Sequence, residues 1–95
     1  MAKKRMVVVT TDKDKRGVFF GQLVKQGADT VILKDAQMAV YWSTETHGVL
    51  GLASIGPQSG SKITPVVPTI ELLGVTSVMD ATTAAIEQWR KEPWN

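Results

Sequence analysis

Residues 16–42 read RGVFFGQLVKQGADTVILKDAQMAVYW. Through much of this stretch, apolar or β-branched side chains recur at every second position, in alternation with other residues. Such alternation is typical of β-strands. The series that begins at Val18 shifts phase at Gly21, where a residue without a side chain permits the bulge that bends a strand. Residues 27–29 predict one turn, and residues 34–35 predict a second. The stretch therefore predicts three antiparallel strands that curl into a small β-barrel.

The sequence on either side predicts further strands. Residues 6–10 are mostly apolar and β-branched, and they predict a strand before the central stretch. Residues 69–79 predict the last strand, with Gly74 in its middle. Pro65 and Pro68 bracket two valines, which favours an extended edge segment over a central strand.

Two helices are predicted beyond the central stretch. Residues 47–55 predict a short helix, with a strand as the alternative because this stretch and the residue after it include three glycines. A closing helix is predicted over residues 83–91, capped by Asp80 or Thr82. The fold class is thus mainly β (β+α): a small curled antiparallel barrel of the SH3 or Sm-like type, with a short mid-chain helix and a C-terminal helix.

Composition limits the class of protein. Ninety-five residues predict a single domain over 1–95. The absence of cysteine excludes disulfides and thiolate metal sites. No apolar run approaches the roughly 20 residues of a membrane span, and the basic start lacks the apolar segment of a signal peptide. We therefore expect a cytoplasmic protein without a membrane partner, and a chain this short favours a homo-oligomer.

The basic residues are concentrated near the start of the chain. Six of the eleven Lys and Arg residues lie within positions 1–16, whereas the net charge of the whole chain is only +2. Arg16 ends this group and is a candidate contact for phosphate or nucleic acid. A solubilising tail followed by a hydrated turn explains the same pattern.

A loop rich in small residues follows the predicted short helix. Residues 56–62 read GPQSGSK, in which Ser59, Gly60, Ser61 and Lys62 form a candidate anion site. Small residues let backbone amides converge on a phosphate, and the hydroxyls and the ammonium group add donors. The same composition also suits a plain connector.

Aromatic and histidine residues give the remaining candidates. Tyr41 and Trp42 end a predicted strand, where alternation sends them to opposite faces, and an exposed ring there can stack on a base. His47 is the only histidine, and it has no nucleophile and carboxylate arranged around it as hydrolysis requires. We therefore expect no catalytic residues, no metal site and no cofactor, with His47 retained as a ligand contact.

Three short motifs resemble the Sm-like family. They are Gly21-Gln22-Leu23, Leu33-Lys34-Asp35-Ala36 and Leu72-Leu73-Gly74-Val75. The resemblance covers only part of the chain, and it implies a curled barrel and a tendency to form rings.

A broader likeness covers residues 16–78. The strings RGVFFG, MAVYWS, GPQSGS and LLGVTSV are similar to those of a group of small uncharacterised bacteriophage proteins. This resemblance implies a phage accessory protein that acts in the host cell by binding host or phage molecules.

Two functions follow as expectations. The first is a non-enzymatic, oligomeric phage accessory protein that binds an anionic, nucleotide-like ligand or nucleic acid. The alternative is a structural or interaction module, with a host protein or further copies of the chain as partners. In that case Trp42, Trp89 and Trp94 supply the contacts between subunits or partners.

Overall fold

The computed structural model describes residues 5–11 and 17–91. They form an antiparallel sheet of six strands, β1 to β6, with two helices, α1 and α2, and one 3₁₀ turn. In chain order these are β1 Met6–Thr11, β2 Gly17–Gln26, β3 Thr30–Tyr41, the 3₁₀ turn Thr44–Thr46, α1 Gly48–Ser54, β4 Lys62–Ile63, β5 Val67–Leu73, β6 Val75–Asp80 and α2 Thr83–Arg90. The mainly β class and both predicted helices are confirmed.

The hairpin of β2 and β3 contains the predicted turn, and its register shifts at Gly21 as predicted, but the extra residue lies in β3 rather than in β2. The amide of Gly27 donates to the carbonyl of Thr30 at 2.8 Å, which closes the turn. The β2–β3 register shifts at Gly21, and a Cβ added there would lie 3.1 Å from the Cβ of Leu33. Glycine at this position therefore lets the two strands approach closely at the bend.

The predicted turn at Lys34 and Asp35 is wrong. β3 runs through both residues without reversing, and Asp35 adopts a φ of 53° within it. Between the pairs Phe20–Gln37 and Gln22–Lys34, β3 advances one residue more than β2, so the extra residue forms a bulge. Aspartate tolerates the left-handed conformation, which explains why a turn-forming residue type occupies a strand.

The sheet is not closed into a barrel. Its strand order is β4-β3-β2-β1-β6, and β5 pairs with β3 on the same edge as β4. Gly74, with a φ of 69°, separates β5 from β6, so the single predicted last strand is two strands. Within residues 5–11 and 17–91 no pairing joins β5 to β6, and the predicted barrel is therefore not confirmed.

Alternation along β1 supplies two separate cores. Val8 is buried with Phe20, Leu52 and Trp89 on the side of the sheet that carries the helices. The neighbours of Val8 in β1, Val7 and Val9, point the other way and join a second cluster made by the strands. The second cluster is completed by Val31, Leu33, Ala36 and Leu72. A strand buried on both faces reads as a continuous run of valines, as residues 7–9 do.

Helix α2 is fixed to the sheet by Trp89. Thr82 caps the helix, because its side chain accepts a hydrogen bond from the amide of Ala85 at 3.1 Å. The Trp89 ring is fully buried and stacks on Phe20, with ring centroids 5.0 Å apart. Its indole nitrogen donates to the carbonyl of Leu52 in α1 at 2.9 Å. The predicted packing of Trp89 on the sheet is confirmed.

Candidate ligand-binding site

A hollow of about 440 Å³ opens at the end of the sheet where β1 meets β2. We call it the Trp42 hollow, and its lining residues come from the first three strands, α1 and the segment after β3. They are Thr10, Thr11, Gly17, Val18, Met38, Ala39, Val40, Trp42 and Val49. Its volume lies within the range of about 300–1,000 Å³ that is usual for small-molecule sites.

The floor and one wall of the Trp42 hollow are apolar. Val18 and Ala39 are buried members of the helix-side core and come from adjacent strands. Trp42 and Val49 are only partly buried and pack against the same core. The hollow is thus an open end of the helix-side core, with an indole ring at its margin where a flat apolar group can be covered.

A cluster of three hydroxyl groups borders the Trp42 hollow at Thr10. Thr10 Oγ1 lies 2.7 Å from Thr76 Oγ1 and 2.6 Å from Ser77 Oγ, both on β6. Antiparallel pairing of β1 with β6 places Thr10 opposite Ser77. We call Thr10, Thr76 and Ser77 the hydroxyl triad. None of the three is fully buried, so the triad adds polar groups at the surface beside an apolar floor.

The predicted anion loop is anchored to the body of the protein. The amide of Gly56 donates to Gly51, that of Gln58 to the Thr46 hydroxyl, and that of Ser61 to Gln58. Three amides of the loop are therefore already used within the fold.

Ser61 in that loop makes a structural hydrogen bond. Its side chain is 1% exposed, and its hydroxyl accepts from the amide of Ser43 at 3.1 Å. Ser59 and Gly60 are exposed at the tip of the same loop. The hydroxyl of Ser43 is buried and has no hydrogen-bond partner among the described residues.

The remaining candidates in the described ranges lie near the end of β3. Tyr41 is 55% exposed and pairs with Lys62 of β4. Trp42 lines the hollow and packs against the helix-side core, whereas the ring next to it in sequence is exposed. His47 is exposed, directly follows the 3₁₀ turn and has a φ of 66°.

Arg16 and Trp94 lie outside the described residues. Arg16 immediately precedes Gly17, which pairs with Thr11 and lines the Trp42 hollow. Within residues 5–11 and 17–91 there are six Lys and Arg residues and six Asp and Glu residues, so the formal charges there balance. The net charge of +2 is therefore carried by the rest of the chain.

Two kinds of site are absent from the part of the chain that the structure describes. No group of three or more His, Cys, Asp or Glu side chains is placed to hold a metal ion. No helix in those ranges has the length and apolar character needed to cross a membrane.

Comparison with known proteins places the chain in a family. A sequence model described as a domain of unknown function (DUF6948) matches residues 4–89. The chain belongs to this family. No curated protein and no solved structure matches the DUF6948 chain.

Sequence reasoning missed the residues that make the site of this DUF6948 domain polar. Thr10 follows three valines, and Thr76 and Ser77 follow Val75. Hydroxyl side chains at these positions look like the ordinary composition of a β-strand. Pairing of β1 with β6 brings them together across more than sixty residues of sequence. The available signal was the switch from valine to threonine at Thr10, which indicates a less buried position there, although Thr11 is buried again.

Proposed function

We propose that this DUF6948 protein is a non-enzymatic binding protein that takes an anionic, nucleotide-like ligand in the Trp42 hollow. The observation that carries the proposal is the hollow itself, in which a partly buried indole ring adjoins an apolar floor and a polar margin. A nucleotide combines a flat aromatic base with a polar sugar and a charged phosphate, and the hollow offers a surface for the first two.

The charge of the chain supports an anionic ligand. The connection between Thr11 and Gly17, two residues that line the hollow, holds three cations, Lys13, Lys15 and Arg16, against the carboxylates of Asp12 and Asp14, and so has a small positive excess. Attraction to phosphate falls as salt concentration rises, because salt screens the charges and, for a nucleic-acid strand, because binding releases counterions that salt drives back. Binding that depends on this segment is therefore strongest at low salt.

The experiment is a calorimetric titration of the full chain at low and at high salt. The ligands are nucleoside monophosphates, cyclic nucleotides, and short single strands of RNA and DNA. Trp42→Ala is expected to weaken binding about 5- to 150-fold, because stacking on an aromatic ring contributes about 1–3 kcal/mol per base. The matched control is Tyr41→Ala, an exposed ring that does not line the hollow. Absence of heat and of thermal stabilisation with every ligand at low salt refutes the proposal.

Assembly through the edge strand β5 is the second candidate function. Val67 and Leu73 of β5 are 44% and 60% exposed, and the strand pairs only with β3 in the described sheet. An exposed apolar edge is a template for pairing with another chain. Pairing of β5 with a strand of a neighbouring copy supports the expected homo-oligomer, and the same pairing repeated between copies would form a ring. A host protein that adds a strand is the other partner of this kind.

In assembly through β5, this strand supplies the contacts between subunits. Trp89 does not, because it is fully buried against its own chain. The test is solution mass by light scattering, for the natural chain and for Leu73→Lys. A multiple of 10.3 kDa that falls to the monomer mass in the variant supports assembly. Monomer mass for both, over the full concentration range, refutes it.

The phage origin is proposed on the likeness of residues 16–78 alone. It fits a small binding protein in the cytoplasm of an infected host, where the ligand is a nucleotide.

A further inference from the structure

The hydroxyl triad has an unused hydrogen-bond capacity. Each hydroxyl group supplies one donor hydrogen and two acceptor lone pairs. The two bonds among Thr10, Thr76 and Ser77 use two of the three hydrogens. Whichever way these bonds point, one hydrogen remains available on the triad, together with free lone pairs. The triad is therefore both a donor and an acceptor toward a further polar group.

The position of the triad limits the kind of ligand that can bring a polar group to it. Thr10 belongs both to the triad and to the lining of the Trp42 hollow. Thr10 is partly exposed, so a group in the hollow meets it without displacing the core, whereas Thr76 and Ser77 do not line the hollow and act by orienting the Thr10 hydroxyl. A ligand that covers Trp42 with a flat ring and meets Thr10 with a hydroxyl group satisfies both surfaces.

We infer that the triad binds the sugar hydroxyls of a ribonucleoside whose base lies against Trp42, and that the site prefers ribose to 2′-deoxyribose. This inference rests on the proposed function and names its ligand class. The 2′-hydroxyl is both donor and acceptor, and it is the group by which a protein separates ribonucleotides from deoxyribonucleotides at one site. A triad with one free hydrogen and free lone pairs matches both properties.

The size of the preference follows from the bonds involved. A hydrogen bond between uncharged groups contributes about 0.5–1.5 kcal/mol net, which corresponds to a preference for ribose of about 2- to 12-fold. Removing the Thr10 hydroxyl breaks both bonds of the triad at once. The ratio of deoxyribonucleotide to ribonucleotide dissociation constants should then fall to about 1, since ordering of the other two hydroxyls depends on Thr10.

The experiment compares the four ribonucleoside 5′-monophosphates with their 2′-deoxy counterparts by calorimetric titration of the full chain. The variants are Thr10→Val, which keeps the shape of the side chain, and Ser77→Ala, which also serves if Thr10→Val does not fold. Thr69→Val is the matched control, because Thr69 is an exposed strand threonine outside the hollow. Circular dichroism and the thermal midpoint confirm that each variant is folded.

The outcomes separate this inference from the function on which it rests. A ribose preference in the natural chain and in Thr69→Val, lost in Thr10→Val and reduced in Ser77→Ala, supports the inference. Equal binding of both sugars by the natural chain overturns it and leaves nucleotide binding intact. A preference that persists in both triad variants also overturns it, because the 2′-hydroxyl is then read elsewhere. No binding of any nucleotide overturns the function and the inference together.

Discussion

Alanine substitutions at Gly56 and Gly48 test whether the loop at residues 56–62 packs against α2. Both glycines have positive φ angles, 83° and 79°, so alanine at either position is forced into a left-handed conformation. A Cβ added at Gly56 would lie 2.6 Å from the Cβ of Gln88 and 2.9 Å from the carbonyl oxygen of Ala85. A Cβ added at Gly48 would meet nothing within 4 Å. The two substitutions therefore share the backbone strain and differ in the steric overlap.

The expected magnitudes follow from these contacts. The left-handed conformation costs an alanine about 1–2 kcal/mol, which is the whole expected loss in the free energy of unfolding for Gly48→Ala. Overlap with packed atoms adds about 1–3 kcal/mol, so Gly56→Ala should lose about 2–5 kcal/mol. The atoms it meets belong to the backbone of α2 and to a side-chain carbon next to that backbone, and the helix must shift to relieve the overlap.

Urea unfolding measured by circular dichroism tests this pair. A domain of this size has a total stability of about 5–15 kcal/mol, so Gly56→Ala is expected to remain folded but with a clearly lower urea midpoint than Gly48→Ala. An unchanged slope shows that the two variants expose the same surface on unfolding. Equal midpoints for the two variants would show that the loop does not pack on α2 as described.

Three further substitutions test the core and the surface. Trp89→Phe keeps a ring on Phe20 but loses the donor to the buried carbonyl of Leu52, and should lower the free energy of unfolding by about 1–3 kcal/mol in urea titrations; no loss would mean that this bond is not made. Gln37→Leu removes a buried amide that bonds three polar groups, and a thermal midpoint lower by about 8–20 °C is expected, whereas an unchanged midpoint contradicts the network. Arg5→Ala breaks an exposed ion pair with a 2.7 Å contact, and should change stability by less than about 1 kcal/mol; a larger loss at low salt would contradict this.

Local signals in the sequence were sufficient for much of the fold. The phase shift at Gly21 and the turn at residues 27–29 depend on neighbours within a few positions, and both are present in the structure. Of the two cap residues that the sequence offers, Asp80 and Thr82, the structure uses Thr82. Asp35 was misread because the same residue type favours turns and left-handed bulges. What decides between them is the partner strand, together with the guanidinium of Arg90, which donates to the Asp35 carbonyl at 2.9 Å.

The candidate site was less accessible to sequence reasoning. Ser61 belongs to a polar loop by composition, yet tertiary contacts with Ser43 bury it. Thr10 is a strand residue by its neighbours, yet pairing with β6 makes it part of a polar cluster. Trp42 was a candidate because it ends a predicted strand, but only the position of α1 shows that it borders a hollow. Each case depends on a contact between residues that are distant in sequence.

Met38 lines two open spaces beside the sheet. It lines the Trp42 hollow and also a second, largely apolar hollow of about 370 Å³ that is bordered by Phe19, Val66 and Ile70. A methionine side chain is unbranched and changes rotamer at low cost. The two chambers thus have one residue of β3 in common, and a substitution at Met38 should change the lining of both.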